Sequence, residues 1–273
     1  MLPPKLQRFT DSSLLFICPH CHQTLHLQER SLVCENRHSF DLAKQGYINL
    51  APQAKTSQHY QKNSFLARQT ILEAGLYDHI LEGLTQQIEK LQPRSILDVA
   101  CGEGFYSRHL ENSYSSNYYA FDLSKDSILL ASKTDSHQHI KWFVADLAKI
   151  PLENHSLDLI LDVFSPANYQ EFQRLLQPQG TVLKVIPGSQ HLIEIRKILG
   201  KEAYQPEDID HHLKEQMQIL DQKELTATYS LTPQLREALL EMTPLLQQVN
   251  LTDFDWTKLT HITISATLYQ ARF

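Results

Sequence analysis

The sequence predicts an α/β protein, a doubly wound and mostly parallel sheet preceded by a small metal-stapled unit. Three observations carry this. From Arg94 onward short apolar runs alternate with helical ones over about 170 residues. Within that stretch Ser95-Ile96-Leu97-Asp98-Val99 runs into Ala100-Cys101-Gly102-Glu103-Gly104, an apolar strand that ends in a glycine turn ahead of a helical pattern. Near the N-terminus, three of the four cysteines and a histidine fall into two close pairs.

A chain of 273 residues has room for one large core and a satellite. The texture divides it into a zinc-binding unit over 1–50, a linker and helical bridge over 51–92, and the α/β domain over 93–273. With 42% hydrophobic and 21% charged residues the composition excludes a disordered or fibrous protein. The longest apolar runs, such as Leu159-Ile160-Leu161, fall far short of the ~20 residues that span a bilayer. No membrane partner is expected. Ser12 to Ile17 is too short for a signal segment and leads into a cysteine motif, so the expected location is the cytoplasm. Three cysteines clustered against one point to metal and away from a disulfide framework. The net charge of −6 is unevenly spread. Residues 1–70 hold eight basic against four acidic side chains, +4, which leaves −10 on the remainder. A basic head on an acidic body suits a polyanionic partner for the head.

In chain order, Leu14 to Ile17 and Ser31 to Cys34 read as short strands of the metal unit. Ala51 to Lys62 reads as a polar linker, and two helices follow, divided by Gly75. Strands are expected over Ser95–Val99, Tyr118–Phe121, Lys141–Ala145, Leu157–Val163, Thr181–Ile186, Leu225–Leu231 and Ile262–Tyr269. Helices are expected near 105–111, 125–133, 167–176, 190–200 and 233–241. The last two strands alternate in polarity, which predicts a half-exposed antiparallel edge.

Cys18-x2-Cys21, twelve residues, then Cys34-x3-His38 supplies four ligands from two tight turns, the way a structural Zn2+ is held. Pro19 and Asn36 are suitable turn residues. Four protein ligands close the ion off, so it holds structure and does not activate water. The alternative is a pair of ordinary buried cysteine turns. His20, His22 and His26 break the spacing and are read as surface or RNA-facing residues, with one of them as a substitute for His38 left open. A finger that binds protein is the alternative to one that binds nucleic acid.

At the glycine turn, small residues allow close backbone approach, and the helix behind it adds oriented N–H groups. A dinucleotide fingerprint needs Gly or Ala at position 107, which is Ser107. The D-x-x-C-G-x-G form instead resembles the first motif of class I S-adenosylmethionine-dependent methyltransferases, Rossmann-like enzymes. Asp122 and Asp146 close the next two strands, where they suit the ribose hydroxyls and the adenine amino group. Each by itself reads more readily as a helix cap or solvated turn residue. With Asp98, the three stand at carboxyl ends of consecutive strands around one crevice.

Cys18 to Cys21, Cys34 through Leu50, Ala67-Arg68 through Tyr77, Leu97-Asp98 through Tyr106, Pro187-Gly188 with His191-Leu192, and Glu241 to Pro244 together resemble the 23S rRNA guanine-N1 methyltransferases. The resemblance spans nearly the whole chain. Phe164-Ser165-Pro166-Ala167-Asn168-Tyr169 is closer to the Gram-positive branch, associated with resistance to macrolides such as tylosin. It implies methylation of a guanine in a domain II hairpin loop, and it adds Tyr77, Gly102, Glu103 and His191 to the S-adenosylmethionine pocket. It also implies a homodimer, since many relatives act as dimers. Ala100 departs from the family, where glycine is usual. Because N1 of guanine carries a proton, Asp162 at the end of the fourth strand is the candidate acceptor, or a bond to the guanine edge, against a capping role. Phe164 is the candidate stacking residue and Arg68 a contact to phosphate or to the cofactor carboxylate, against core and surface roles. A different class of function is a zinc-finger rRNA-binding or ribosome-assembly factor on a weakened methyltransferase fold.

Overall fold

The computed structural model describes residues 2–53, 62–111, 117–246 and 249–273. Residues 54–61, most of the expected linker, lie outside them. The chain forms two compact units, residues 1–57 with 91–183 and 272 in the first, and 58–90 with 184–271 and 273 in the second.

The first unit begins with a short helix α1 (Pro4–Gln7) and a 3-10 turn at Ser12–Leu14. A three-stranded antiparallel sheet follows, β1 (His26–Gln28), β2 (Ser31–Val33) and β3 (Ser39–Asp41), in the order β1-β2-β3. Leu14 to Ile17 is therefore not the strand its apolar run suggests. The 3-10 turn takes up its start, and Phe16 and Ile17 make only isolated bridges, to Leu152 and Thr24.

The larger sheet of this unit contains β4 (Tyr47–Asn49), β5 (Ser95–Val99), β6 (Asn117–Asp122), β7 (Lys141–Val144), β8 (Leu157–Val163) and the first part of β9 (Leu176–Pro187). Their order is β9-β8-β5-β6-β7-β4. Pairs β5·β6, β5·β8, β6·β7 and β4·β7 are parallel. Every residue of β5 is buried, as two covered faces require. The chain runs outward through β5, β6 and β7 and returns to place β8 on the far side of β5, so the order reverses beside the glycine turn, where open α/β sheets bind ligands. The connecting helices are α4 (Phe105–Leu110), α5 (Lys125–Thr134) and α6 (Tyr169–Leu175). The last two are capped by Ser124 and Asn168, whose side chains accept from Ser127 N and Glu171 N.

β4 lies in the stretch read as the zinc-binding unit, yet it pairs with β7 through Tyr47↔Trp142 to Asn49↔Val144. Ahead of the cysteine pairs, Ile17 N donates to Pro151 O and Glu153 N to Leu15 O. Phe16 packs edge-on against Tyr119 and Phe143. Further back, the Arg8 guanidinium is wholly enclosed 2.8 Å from Asp135, and it also donates to Ile140 O. Asp135 accepts from Trp142 Nε1 and Gln138 N as well.

The second unit holds α2 (Lys62–Glu73), α3 (Asp78–Leu91), α7 (Ile193–Ile198), α8 (Glu207–Gln216), α9 (Pro233–Met242) and the strands β10 (Gln218–Ser230) and β11 (His261–Arg272), in the order β10-β11-β9. The turn between α2 and α3 passes through Gly75 at φ 86, as the Gly75 break predicts. Side-chain bonds Thr226–Ser265 and Thr228–Thr263 join β10 to β11, with one chain rising as the other falls, so the pair is antiparallel. Only β10 is exposed. β11 is buried along most of its length, and its alternating polarity reflects Thr263 and Ser265 bonded to neighbours, not a wet face. Helix α8 falls in a stretch with few apolar residues, which left no periodicity to read.

Replacing Arg8 by Met leaves Asp135 enclosed without its cation. Such a loss costs about 3–5 kcal/mol, to be read as a lower denaturation midpoint at unchanged slope.

Candidate active site and metal centre

The metal centre is built by two turns. His22 N donates to Cys18 O with His22 at φ 59, and Arg37 N donates to Cys34 O with Arg37 at φ 63, so each pair of ligands faces inward across a reversal. The ligand atoms of Cys18, Cys21, Cys34 and His38 all lie within 4.8 Å of one another. His38 Nδ1 lies 3.4 Å from Cys18 Sγ and 3.5 Å from Cys34 Sγ, and the Cys21 and Cys34 sulfurs lie 3.6 Å apart. Zinc bonds of about 2.3 Å to sulfur and about 2.0 Å to nitrogen put tetrahedral ligands about 3.5–3.8 Å apart, so the four residues fit Zn2+. The Cys21 thiol is drawn down to about 6, chiefly by the backbone N–H of Gln23, which favours the thiolate that binds metal. His20, His22 and His26 are exposed outside this set, His20 stacked on Phe40. Arg37, between two of the ligands, is exposed, and so are Arg30 and Lys44 at the other end of the small sheet.

The glycine turn sits at the carboxyl end of β5. Asp98 is buried within the strand and accepts from Ser107 Oγ on α4. Ser107, noted in the sequence only for not being glycine, thus holds the acid of the motif. Ala100, Gly102 and Gly104 all take positive φ, at 51, 60 and 77. A left-handed backbone at residue 100 is the physical reason for glycine there, and the alanine carries the strain. A Cβ at Gly104 would stand 2.4 Å from the Trp142 ring.

Asp122 ends β6 and accepts from Gly102 N at 3.0 Å and Ser124 N at 2.8 Å, which ties the glycine turn to the second strand. Glu103 is fully buried in the turn. Asp98, Asp122 and Glu103 converge on Cys101, whose thiol is held protonated first by burial and then by these carboxylates. A turn with three acids around it favours a ligand carrying positive charge, such as a sulfonium with an ammonium group. Asp146 lies two residues past the end of β7, exposed, and accepts from Ala148 N. Asp162 is buried near the end of β8, in register with Val99, and accepts from Ser165 Oγ. Phe164 follows at φ 55. The structure thus gathers Asp98, Gly102, Glu103 and Asp122 at the turn and sets Asp162 beside it. A cavity of about 600 Å³ lined by Arg8, Asn117 and Lys141 lies at the opposite, amino ends of β6 and β7.

Tyr77, Arg68 and His191 belong to the second unit. Tyr77 is enclosed just past the Gly75 turn, and burial raises its hydroxyl to about 12 against the pull of the Arg68 charge. His191 accepts from Ser265 N at Nδ1, and burial depresses it to about 4, so it is neutral at pH 7.

Residues 16–58 match the zinc-ribbon family model described as RlmA, N-terminal, and residues 96–184 match a methyltransferase domain model. A Bacillus subtilis (strain 168) protein, YxjB, provisionally named a 23S rRNA (guanine-N1)-methyltransferase, is 38% identical over 71% of this chain and 71% of its own. The 23S rRNA (guanine(748)-N1)-methyltransferase of Streptomyces fradiae is 33% identical over 67% of each chain. The chain belongs to the 23S rRNA (guanine-N1)-methyltransferase family. Among solved structures, the YcgJ protein of Bacillus subtilis superposes with a TM-score of 0.50 at 13% identity, covering 71% of this chain and 97% of that one, a likeness of fold alone. The glycine turn lies in the methyltransferase domain, which binds S-adenosylmethionine, and no helix among the described residues is long and apolar enough to cross a membrane.

Four outcomes are expected. Gly104→Ala forces a methyl group into the Trp142 ring, so it abolishes the thermal stabilisation given by S-adenosylmethionine, whereas Ala100→Gly relieves the left-handed strain and stabilises the protein by up to about 1 kcal/mol. Chelating zinc melts the 16–50 segment, read as rapid proteolysis there and lost protection of β1 to β3. For His191, the folded pKa lies below the unfolded one, so the unfolded chain takes up a proton first as pH falls. Stability is therefore full above about pH 6.5 and declines by about 3 kcal/mol as pH approaches 4, and His191→Gln flattens that slope in denaturation curves.

Proposed function

We propose that this chain is a cytoplasmic enzyme that methylates N1 of a guanine in a hairpin loop of domain II of 23S rRNA. The observation that supports it best is the joining of a four-ligand zinc cluster, in a segment with exposed Arg30, Arg37 and Lys44, to the acid-lined glycine turn in one chain of this family. The zinc-bearing head meets the rRNA backbone, where basic side chains fix register without reading sequence. A loop guanine is single-stranded, so turning it out of its stack costs little.

Asp98, Gly102, Glu103 and Asp122 hold S-adenosylmethionine, with Asp146 toward the adenine, and the resemblance adds Tyr77 and His191 as cofactor residues. Bound there, S-adenosylmethionine would supply an electrophilic methyl group on a sulfonium, with the neutral thioether as leaving group. Asp162 accepts the N1 proton, which frees the nitrogen electron pair to form the new bond to carbon. Phe164 stacks on the target base and Arg68 contacts phosphate or the cofactor carboxylate. Orientation supplies most of the acceleration in such a transfer. The protein acts as a homodimer.

Primer extension across domain II, after incubation of unmodified rRNA with protein and S-adenosylmethionine, tests the reading, because a methyl on N1 blocks base pairing. A cofactor-dependent stop at one loop guanine is expected, and Asp162→Asn reduces it at least about 100-fold. Binding of rRNA with no stop would instead favour the assembly factor on a weakened fold.

A further inference from the structure

Asp162 has a neighbour that the sequence motifs leave without a task. Ser165, three residues on, donates to Asp162 Oδ1 at 2.6 Å and lies 3.3 Å from the carbonyl oxygen of Val99. Its hydroxyl thus sits between the ends of β8 and β5, the two strands that flank the point where sheet order reverses. The chain around it is shaped to put it there. Phe164 at φ 55 turns the backbone through the left-handed region, which an aromatic residue adopts only under constraint. Pro166 then disfavours helical backbone at Ser165, and the hydroxyl turns back toward residue 162.

We propose that Ser165 is a positioning residue for N1 methylation, fixing the rotation of the Asp162 carboxylate so that it faces the guanine N1–H. The inference rests on Asp162 being the proton acceptor. A carboxylate turns freely about its terminal torsion, whose energy profile is broad. A short hydrogen bond to one oxygen removes that freedom, and such a bond to a charged acceptor is about twice as strong as a neutral one. Proton transfer needs donor and acceptor within about 2.6–3.2 Å, and a 1 Å misplacement can cost about 100-fold in rate. Throughout, the serine keeps its own proton, and the N1 proton passes to the carboxylate. Tyr169, at the start of α6, also feels the Asp162 charge. Burial, reinforced by the Asp162 charge, raises its hydroxyl to about 12, so it stays neutral and does not compete for the proton.

The test compares Ser165→Ala, Ser165→Thr and Asp162→Asn by steady-state methylation of a domain II rRNA fragment. Calorimetric titration of each protein with S-adenosylhomocysteine and with rRNA, and thermal melting, complete the comparison. Ser165→Ala is expected to lower kcat about 10- to 100-fold, with KM and both binding affinities within about twofold of the parent. Ser165→Thr, which keeps the hydroxyl, restores kcat to within about threefold. In an Asp162→Asn background Ser165→Ala adds nothing further. If Ser165→Ala keeps the parent kcat while Asp162→Asn loses it, the positioning role is overturned and Asp162 stands as acceptor. If Asp162→Asn stays active, the acceptor reading itself fails. A loss in Ser165→Ala that falls equally on binding or melting, or that threonine does not restore, assigns Ser165 to structure alone and overturns the proposal.

Discussion

The ring of Trp142 fills the space that a side chain at residue 104 would need, standing 2.4 Å from where that Cβ would be. Much of the first unit depends on this contact. The indole is carried by β7, which pairs with β6 through Ala120↔Trp142 and with β4 through Tyr47↔Trp142. Its nitrogen is held by Asp135, and Asp135 by Arg8. One side chain therefore bears on the cofactor turn, on the strand that follows the zinc cluster, and on the N-terminal segment. A buried ion pair contributes little net stability when its charges are merely neutralised. Its value here is geometric, since Asp135 can bond Trp142, Gln138 and Arg8 together only in one arrangement.

The zinc cluster follows the same economy. A segment of about 35 residues cannot bury enough apolar surface to fold without a staple. Two devices answer that here. The four ligands tie two turns to one point, and Phe16 places the segment's leading edge among Tyr119 and Phe143 of the larger sheet. The exposed arginines and lysine of the head are then carried on a rigid base, which suits side chains that set the register of an RNA backbone.

Electrostatics divide the labour between the ends of the molecule's charge range. Carboxylates gather around the glycine turn and add to the burial that holds the Cys101 thiol protonated. Asp122 binds two backbone N–H groups through its own oxygens, so the acid that ends β6 also fixes the turn. In the second unit, burial keeps His191 neutral, as a bond acceptor at Nδ1 for the Ser265 N–H.

Much of this was legible from residues alone. The strand–turn–helix from Ser95 to Leu110, the two cysteine pairs and the alternation that gives a parallel sheet each follow from local rules: apolar runs of fixed period, glycine where the backbone turns left-handed, ligands at turn spacing. These depend on near neighbours in the chain, and a sequence displays near neighbours directly. What it could not display are partners distant in the chain. Nothing near Tyr47 announces Trp142 as its strand partner, and nothing near Arg8 announces Asp135. The polarity of Thr263 and Ser265 suggests a wet edge until β10 is seen covering them with Thr228 and Thr226. Ser107 and Ser165 read as unremarkable serines until folding lays them against Asp98 and Asp162. The sequence by itself determined the strands and helices around the glycine turn, the metal ligands and the left-handed turn itself, because short-range sterics and ligand spacing decide those. Tertiary structure alone decided which buried donor meets which acceptor, because a hydrogen bond enclosed at 2.6–2.8 Å selects its partner by position in space and not by separation along the chain.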